Sequence, residues 1–317
     1  MAKSIIRYYG GNSGVIGRIN DAINGILCPS KGIHRIIDCF GGAAHASMGF
    51  DPPNGISVIY NELDAYLCAA IRAVADPVRS VEVCMALEKL ETLDMAEWVQ
   101  LRKKYRGELV QWMESKRKRS RKTEPPELPE LPELPEPPQV KSPELQECPQ
   151  LELLERPELP PPESLEAISE ILMLYHCAFQ GDIQSPGKCL YEKYGAFSLC
   201  QKLRRNVLDA PSYLYNVKEF WQRDVFDILA DPSALQGSLL YLDPPWYGGS
   251  AESYPCMFGE DEHKRMVEML LAIDNPAVIL GYDTELYNPL LENGFKKIVL
   301  RYPTSGIQQA VCLWVRG

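Results

Sequence analysis

The sequence predicts an α/β protein built on a doubly wound sheet and interrupted by a helical insertion. Three observations predict it. Short apolar runs of the kind found in buried parallel strands recur towards both ends of the chain. Residues at helical spacing fill the intervals between them. A middle stretch breaks both patterns with proline and glutamate.

The elements follow in order. IHRIIDCF (33–40) and ISVIY (56–60) are the first two strands, and a helix is predicted over 64–75. Apolar residues then recur at helical intervals over 80–115 and 164–178. In the second stretch Leu165, Ile168, Ile171, Leu172 and Tyr175 follow a cap at Ser164. SLLYL (238–242) and AVILGY (277–282) are further buried strands with a helix over 261–273 between them. KKIVLRY (296–302) and QAVCLWV (309–315) close the sheet as a hairpin. The sheet is thus assigned to 1–75 and 212–317, and the insertion to 76–211. Functional residues in such a sheet are expected just beyond the carboxyl ends of its strands.

Residues 123–170 hold thirteen of the 26 prolines and thirteen glutamates against Lys141 and Arg156. Within them ELPELPELPE (127–136) can form neither helix nor central strand. The stretch over about 123–163 is expected to be a disordered, polyproline-like linker. Its charge of −11 leaves +1 for the rest of a chain whose net charge is −10. Acidity therefore does not exclude nucleic acid, and Arg102, Lys103, Lys104, Arg106 and KRKRSRK (116–122) offer a basic face.

With 317 residues, 45% of them hydrophobic, the chain can bury one large or two modest cores. No stretch approaches the roughly 18–20 apolar residues of a membrane span, and MAKSIIRYYGG lacks the apolar centre of a secretory signal. A cytoplasmic protein with no membrane partner is expected. Ten cysteines and four histidines include no C-x-x-C and no H-x-x-x-H pair. No metal is therefore expected, and the cysteines read as small buried hydrophobes in a reducing compartment.

Asp243-Pro244-Pro245-Trp246 stands immediately after SLLYL. The bland reading is a strand-ending turn, since two prolines fix φ and stop pairing. The functional reading uses every position. Asp243 can accept a hydrogen bond from an exocyclic amine, a proline carbonyl can accept a second, and the flat ring of Trp246 can stack on the base without using its N–H. A second constellation follows the first strand at Gly41-Gly42-Ala43-Ala44, where small residues let a ligand approach the backbone. Glu62, twenty positions beyond Gly42, suits ribose hydroxyls, whereas Asp64 reads as a helix cap.

These residues carry a family resemblance. Tyr8-Tyr9-Gly10-Gly11, Asp38-Cys39-Phe40-Gly41-Gly42, Tyr60-Asn61-Glu62-Leu63-Asp64 and Tyr241-Leu242-Asp243-Pro244-Pro245-Trp246 occur in the order of the Dam-type DNA adenine N6-methyltransferases. The chain most resembles their phage and prophage branch, also through LGYDTELYNPLL (280–291). The resemblance covers roughly 1–75 and 212–317, and the middle only through LYHCAFQG (174–181).

The resemblance implies a Rossmann-like sheet that uses S-adenosylmethionine to methylate the N6 amine of adenine at a specific site in double-stranded DNA. It places Tyr8, Gly10, Gly11 and Asn12 beside the methionine part of the cofactor, and Asp38, Phe40 and Gly42 along its glycine-rich turn. Glu62 would hold the ribose. Asp224 would sit near the cofactor adenine or cap a helix, and Asp243, Pro244, Pro245 and Trp246 would be catalytic, with Asp243 also facing the cofactor. The insertion would contact DNA, with Phe179 to Ser185 as a loop reaching the duplex, and the target base would be flipped out. A cognate restriction nuclease is a partner such enzymes can have. The sequence departs from the pattern at Asn12, where the family has Lys, at Ala44 in place of glycine, and at Trp246 in place of Tyr or Phe. Two alternatives stay open: methylation of another amine, cytosine N4 or an RNA adenine, or a catalytically impaired DNA-binding protein, suggested by Asn12 and the Pro/Glu tract.

Overall fold

The computed structural model describes residues 5–6, 14–27, 32–53, 55–105, 162–177, 190–248, 258–301 and 309–317. Seven strands follow along the chain: β1 (Arg35–Asp38), β2 (Ser57–Asn61), β3 (Val217–Trp221), β4 (Ser238–Leu242), β5 (Ala277–Tyr282), β6 (Lys296–Arg301) and β7 (Val311–Arg316). They form one mixed sheet in the order β3-β2-β1-β4-β5-β7-β6. The five strands from β3 to β5 run parallel, and β7 is antiparallel to both its neighbours. The expected hairpin of β6 and β7 is present, with β7 inserted against β5 and β6 left on the edge.

Alternating side chains serve two cores, one on each face. Ile36, Val58, Tyr60, Leu239, Tyr241, Val278 and Leu280 face one side; Ile37, Ile59, Leu240, Leu242 and Ile279 face the other. The first face is covered by α1 (Ile16–Ile26), α3 (Ala65–Ala75), α4 (Pro77–Leu87), a helical stretch over 95–105 (α5), α6 (Leu165–Cys177) and α7 (Leu190–Tyr213). The second carries α8 (Val225–Leu229), α9 (Pro232–Leu235), α10 (Glu260–Leu271) and α11 (Asn288–Glu292). The short α2 (His45–Gly49) follows the glycine turn. The helices of the insertion thus share one continuous apolar cluster with α3 and the sheet.

Caps set several of these boundaries. Asp64 accepts from the N–H groups of Tyr66 and Leu67, as its cap reading requires, and Asp76 does the same for Val78 and Arg79 ahead of Pro77. Ser164 accepts from Ala167 N–H at 3.1 Å, as anticipated. Several elements were not anticipated, among them the long α7, β3 and α1. β3 is an edge strand whose Lys218 and Glu219 are exposed, so its sequence VKEFW has no apolar run to betray it. α1 buries Ile19, Ile23 and Ile26 along one stripe of helical spacing. Lys104 also departs from the basic-face reading, because Glu166 (3.0 Å) and Glu170 (2.7 Å) of α6 hold its ammonium.

Tyr8, Gly10, Gly11, Asn12, Arg106, the basic run 116–122, the Pro/Glu linker up to residue 161, and Phe179 to Ser185 lie outside the described residues. Among the described residues, no helix is long and apolar enough to cross a membrane.

Leu240 is fully buried at the centre of the sheet. Leu240→Ala should cost about 3 kcal/mol in denaturant unfolding, the usual penalty for a cavity in a close-packed core. A loss under about 0.5 kcal/mol, the range of surface changes, would contradict this placement.

Candidate functional site

β1 lies between β2 and β4, so the chain leaves β1 towards one side and returns to its other side. The carboxyl ends of β1 and β4 therefore bound the topological switch point, where ligands bind in open α/β sheets. Asp38 is the last residue of β1, and Asp243 directly follows β4. The structure thus brings the two sequence-predicted constellations to one edge.

Asn61, the last residue of β2, fastens the loops that follow β1 and β3 there. It is buried; its Nδ2 donates to the carbonyls of Cys39 (2.9 Å) and Arg223 (3.0 Å), and its Oδ1 accepts from Arg223 N–H at 2.9 Å. The glycine turn is built on the same support. A Cβ on Gly41 would lie 2.3 Å from the Tyr60 ring and 2.9 Å from the Asn61 carbonyl, so no side chain fits. Gly42 has φ +50, its N–H donates to Glu62 Oε2 at 2.8 Å, and its carbonyl accepts from Tyr60 O–H at 2.6 Å. Ala44 has φ +60, a left-handed conformation that costs a non-glycine residue roughly 1 kcal/mol.

The acids at this edge have few donors. Asp38 Oδ2 accepts from Ser47 O–H at 2.6 Å, while its buried Oδ1 has no hydrogen-bond partner. Glu62 accepts from the N–H groups of Gly42 and Asp64, at 2.8 and 2.9 Å. Neither acid has an ion-pair partner among the described residues. Burial pushes Asp38 up to about 7 against the opposing Ser47 hydrogen bond, and the nearby charge of Asp243 adds to the rise. Burial likewise raises Glu62 to about 7 despite its backbone donors, with Asp64 and Asp38 contributing further repulsion.

The Asp243 turn is braced from both sides. Trp246 Nε1–H donates to Asp243 Oδ1 at 2.9 Å, and the indole packs edge-on against Tyr282 with ring centres 4.6 Å apart. The indole N–H therefore orients the acid, a role that stacking alone does not require. Beneath the turn, buried His263 places Nε2 3.0 Å from the Pro245 carbonyl and Nδ1 2.8 Å from Tyr287 Oη. A carbonyl only accepts, so Nε2 carries the proton, and in the neutral ring Nδ1 accepts from the tyrosine. With Pro245 engaged by His263, the Pro244 carbonyl is the remaining candidate acceptor for an amine.

Two predicted residues have structural roles here. Asp224 caps α8, accepting from Phe226 N–H at 3.0 Å, and Phe40 packs edge-on against Phe258 with centres 5.3 Å apart. Asn61, Tyr282, His263 and Tyr287 are additions. All but His263 lay inside quoted motifs without an assigned role, and His263 lay in the helix predicted over 261–273, also without one. Among the described residues no three metal-ligating side chains come close enough to hold an ion. No protein-family model matches the chain, and no curated protein matches it.

The arrangement suits a ligand rich in donors and carrying positive charge, which would satisfy Asp38 Oδ1 and offset the repulsion among the acids. Its own charge also sets a pH dependence. Asp38 and Glu62 titrate near 7 in the fold, above their ordinary values of 3.8 and 4.5. The stability they contribute is complete below the ordinary values and is lost as pH rises through about 7. Thermal unfolding of the ligand-free protein between pH 5 and 8 should show this decline, and Asp38→Asn with Glu62→Gln should flatten it. An unchanged slope in the double variant would place its origin elsewhere.

Proposed function

We propose that the protein is a DNA methyltransferase that transfers a methyl group from S-adenosylmethionine to the N6 amine of adenine. The observation that carries this reading is the position of Asp243-Pro244-Pro245-Trp246 at the end of β4, beside Asp38, Gly42 and Glu62 at the switch point. The sheet is compatible with a Rossmann-like cofactor fold, and the motif resemblance supplies the chemical class. The unpaired Asp38 oxygen fits a cationic, donor-bearing cofactor. Asp38, the Gly42 turn and Glu62 would hold it, with Glu62 as the ribose acid. When bound, S-adenosylmethionine supplies an electrophilic methyl group on a sulfonium.

The chain's own residues present the amine. Asp243 and the Pro244 carbonyl accept from the two N–H bonds of the target NH₂ and so fix its nitrogen. Negative charge on Asp243 favours the transition state, in which positive charge grows on that nitrogen. Trp246 holds the carboxylate of Asp243 in orientation through its N–H. Its ring offers a stacking face to the flipped base, offsetting part of the stacking lost from the duplex. Double-stranded DNA is the partner, met by the insertion.

The test is methyl transfer to unmethylated DNA with labelled cofactor. Asp243→Ala should slow transfer by roughly two orders of magnitude, as loss of one preorganised electrostatic partner does, while cofactor affinity changes far less. Trp246→Phe should keep base capture but fall short of the wild-type rate, because Asp243 loses its indole donor. Trp246→Ala should weaken capture as well, by about 1–3 kcal/mol. Wild-type rates in Asp243→Ala would reduce the four residues to a strand-ending turn.

A further inference from the structure

α6 ends at Cys177, within LYHCAFQG (174–181) and two positions before the segment expected to reach DNA. Two residues earlier stands Tyr175, fully buried, whose O–H donates to Asp64 Oδ2 at 3.2 Å. Capping α3 occupies only the other oxygen, since Asp64 Oδ1 accepts from Tyr66 and Leu67 N–H at 2.9 and 3.1 Å. The Asp64 N–H donates to Glu62 Oε1 at 2.9 Å, and Glu62 Oε2 accepts from Gly42 N–H at 2.8 Å. A continuous hydrogen-bonded chain therefore runs from the glycine turn through Glu62 and the buried Asp64 to a helix of the insertion. At its other end α6 is gripped by α5, through Lys104 and through Tyr105 O–H on Glu170 at 2.6 Å.

We infer that Tyr175 is a positioning residue that ties the insertion to the cofactor edge through Asp64 and Glu62, so that DNA binding and cofactor binding strengthen each other. The inference rests on the methyltransferase reading. Glu62 faces the ligand with the same carboxylate that fixes the Asp64 backbone, so a ligand that draws on Glu62 biases the seat of Tyr175. Reciprocity then requires DNA held by the insertion to favour the cofactor by the same factor.

The experiment measures binding of labelled S-adenosylhomocysteine to the full chain by equilibrium dialysis, without and with excess sheared, unmethylated duplex DNA of mixed sequence. The wild-type affinity should rise about five-fold or more with DNA, the lower end of ordinary coupling. Tyr175→Phe should bring that ratio close to one while affinity without DNA changes less than about two-fold. Asp64→Ser keeps a helix-cap oxygen but lacks a second one for Tyr175, so it should lose the ratio too, and it serves if Tyr175→Phe does not fold. Asp64→Asn keeps the cap and can donate its amide to the Tyr175 hydroxyl, so it should retain the ratio. A full ratio in Tyr175→Phe or in Asp64→Ser, or a wild-type ratio of one, overturns the inference alone. No binding of S-adenosylhomocysteine by the wild type overturns the methyltransferase reading with it.

Discussion

Negative charge concentrated at the carboxyl ends of β1, β2 and β4 is the constraint on which the rest of this edge depends. Asp38, Glu62, Asp64 and Asp243 gather there, and no arginine or lysine among the described residues pairs with Asp38 or Glu62. Burial raises Asp38, Glu62 and Asp64 above the ordinary carboxylate range, and repulsion from neighbouring acids adds to the rise of Asp38 and Glu62. Such a cluster destabilises the ligand-free fold, so the loops bearing it need independent fastening. Asn61 provides it with three hydrogen bonds to backbone groups. The left-handed Ala44 shows a further cost accepted to keep the turn in place.

The Asp243 turn shows the complementary device, rigid support for a carboxylate at the end of a strand. Two prolines limit the backbone, Trp246 fixes the carboxylate, Tyr282 sets the indole, and His263 with Tyr287 holds the Pro245 carbonyl from below. Preorganised acceptors of this kind need little rearrangement when charge develops on a substrate. Tyr287 itself is fully enclosed, with burial and then the Asp243 charge pushing its hydroxyl well above the ordinary range. It remains a neutral donor, which is what the His263 arrangement requires.

Much of this was legible because buried parallel strands write themselves as apolar runs, and because Gly41-Gly42 and Asp243-Pro244-Pro245-Trp246 stand directly after two of those runs. β3 was not, since an edge strand facing water needs no such run. Asn61, His263 and Tyr175 were not legible for a different reason. Their partners stand 162, 18 and 111 positions away, and only the folded sheet brings them together. Asp64 was readable as a cap from its place before AYLCAAIRAV, yet its second oxygen reaches another helix altogether. The hydrogen bond from the Trp246 indole N–H to Asp243 was not anticipated, because stacking alone gives no reason to prefer Trp over Phe.

The most direct measurement counts the protons released when S-adenosylmethionine binds, by calorimetry in buffers of different ionisation enthalpy. At about pH 6.5 the cofactor ammonium is already charged, given an ordinary α-amino value near 8, so release reports the protein. A cationic ligand seated against Asp38 and Glu62 should drive both towards the carboxylate and free roughly one proton per chain. That release should vanish in Asp38→Asn with Glu62→Gln. Binding with no proton release, or the same release in the double variant, would contradict the assignment of this edge to the methyl donor.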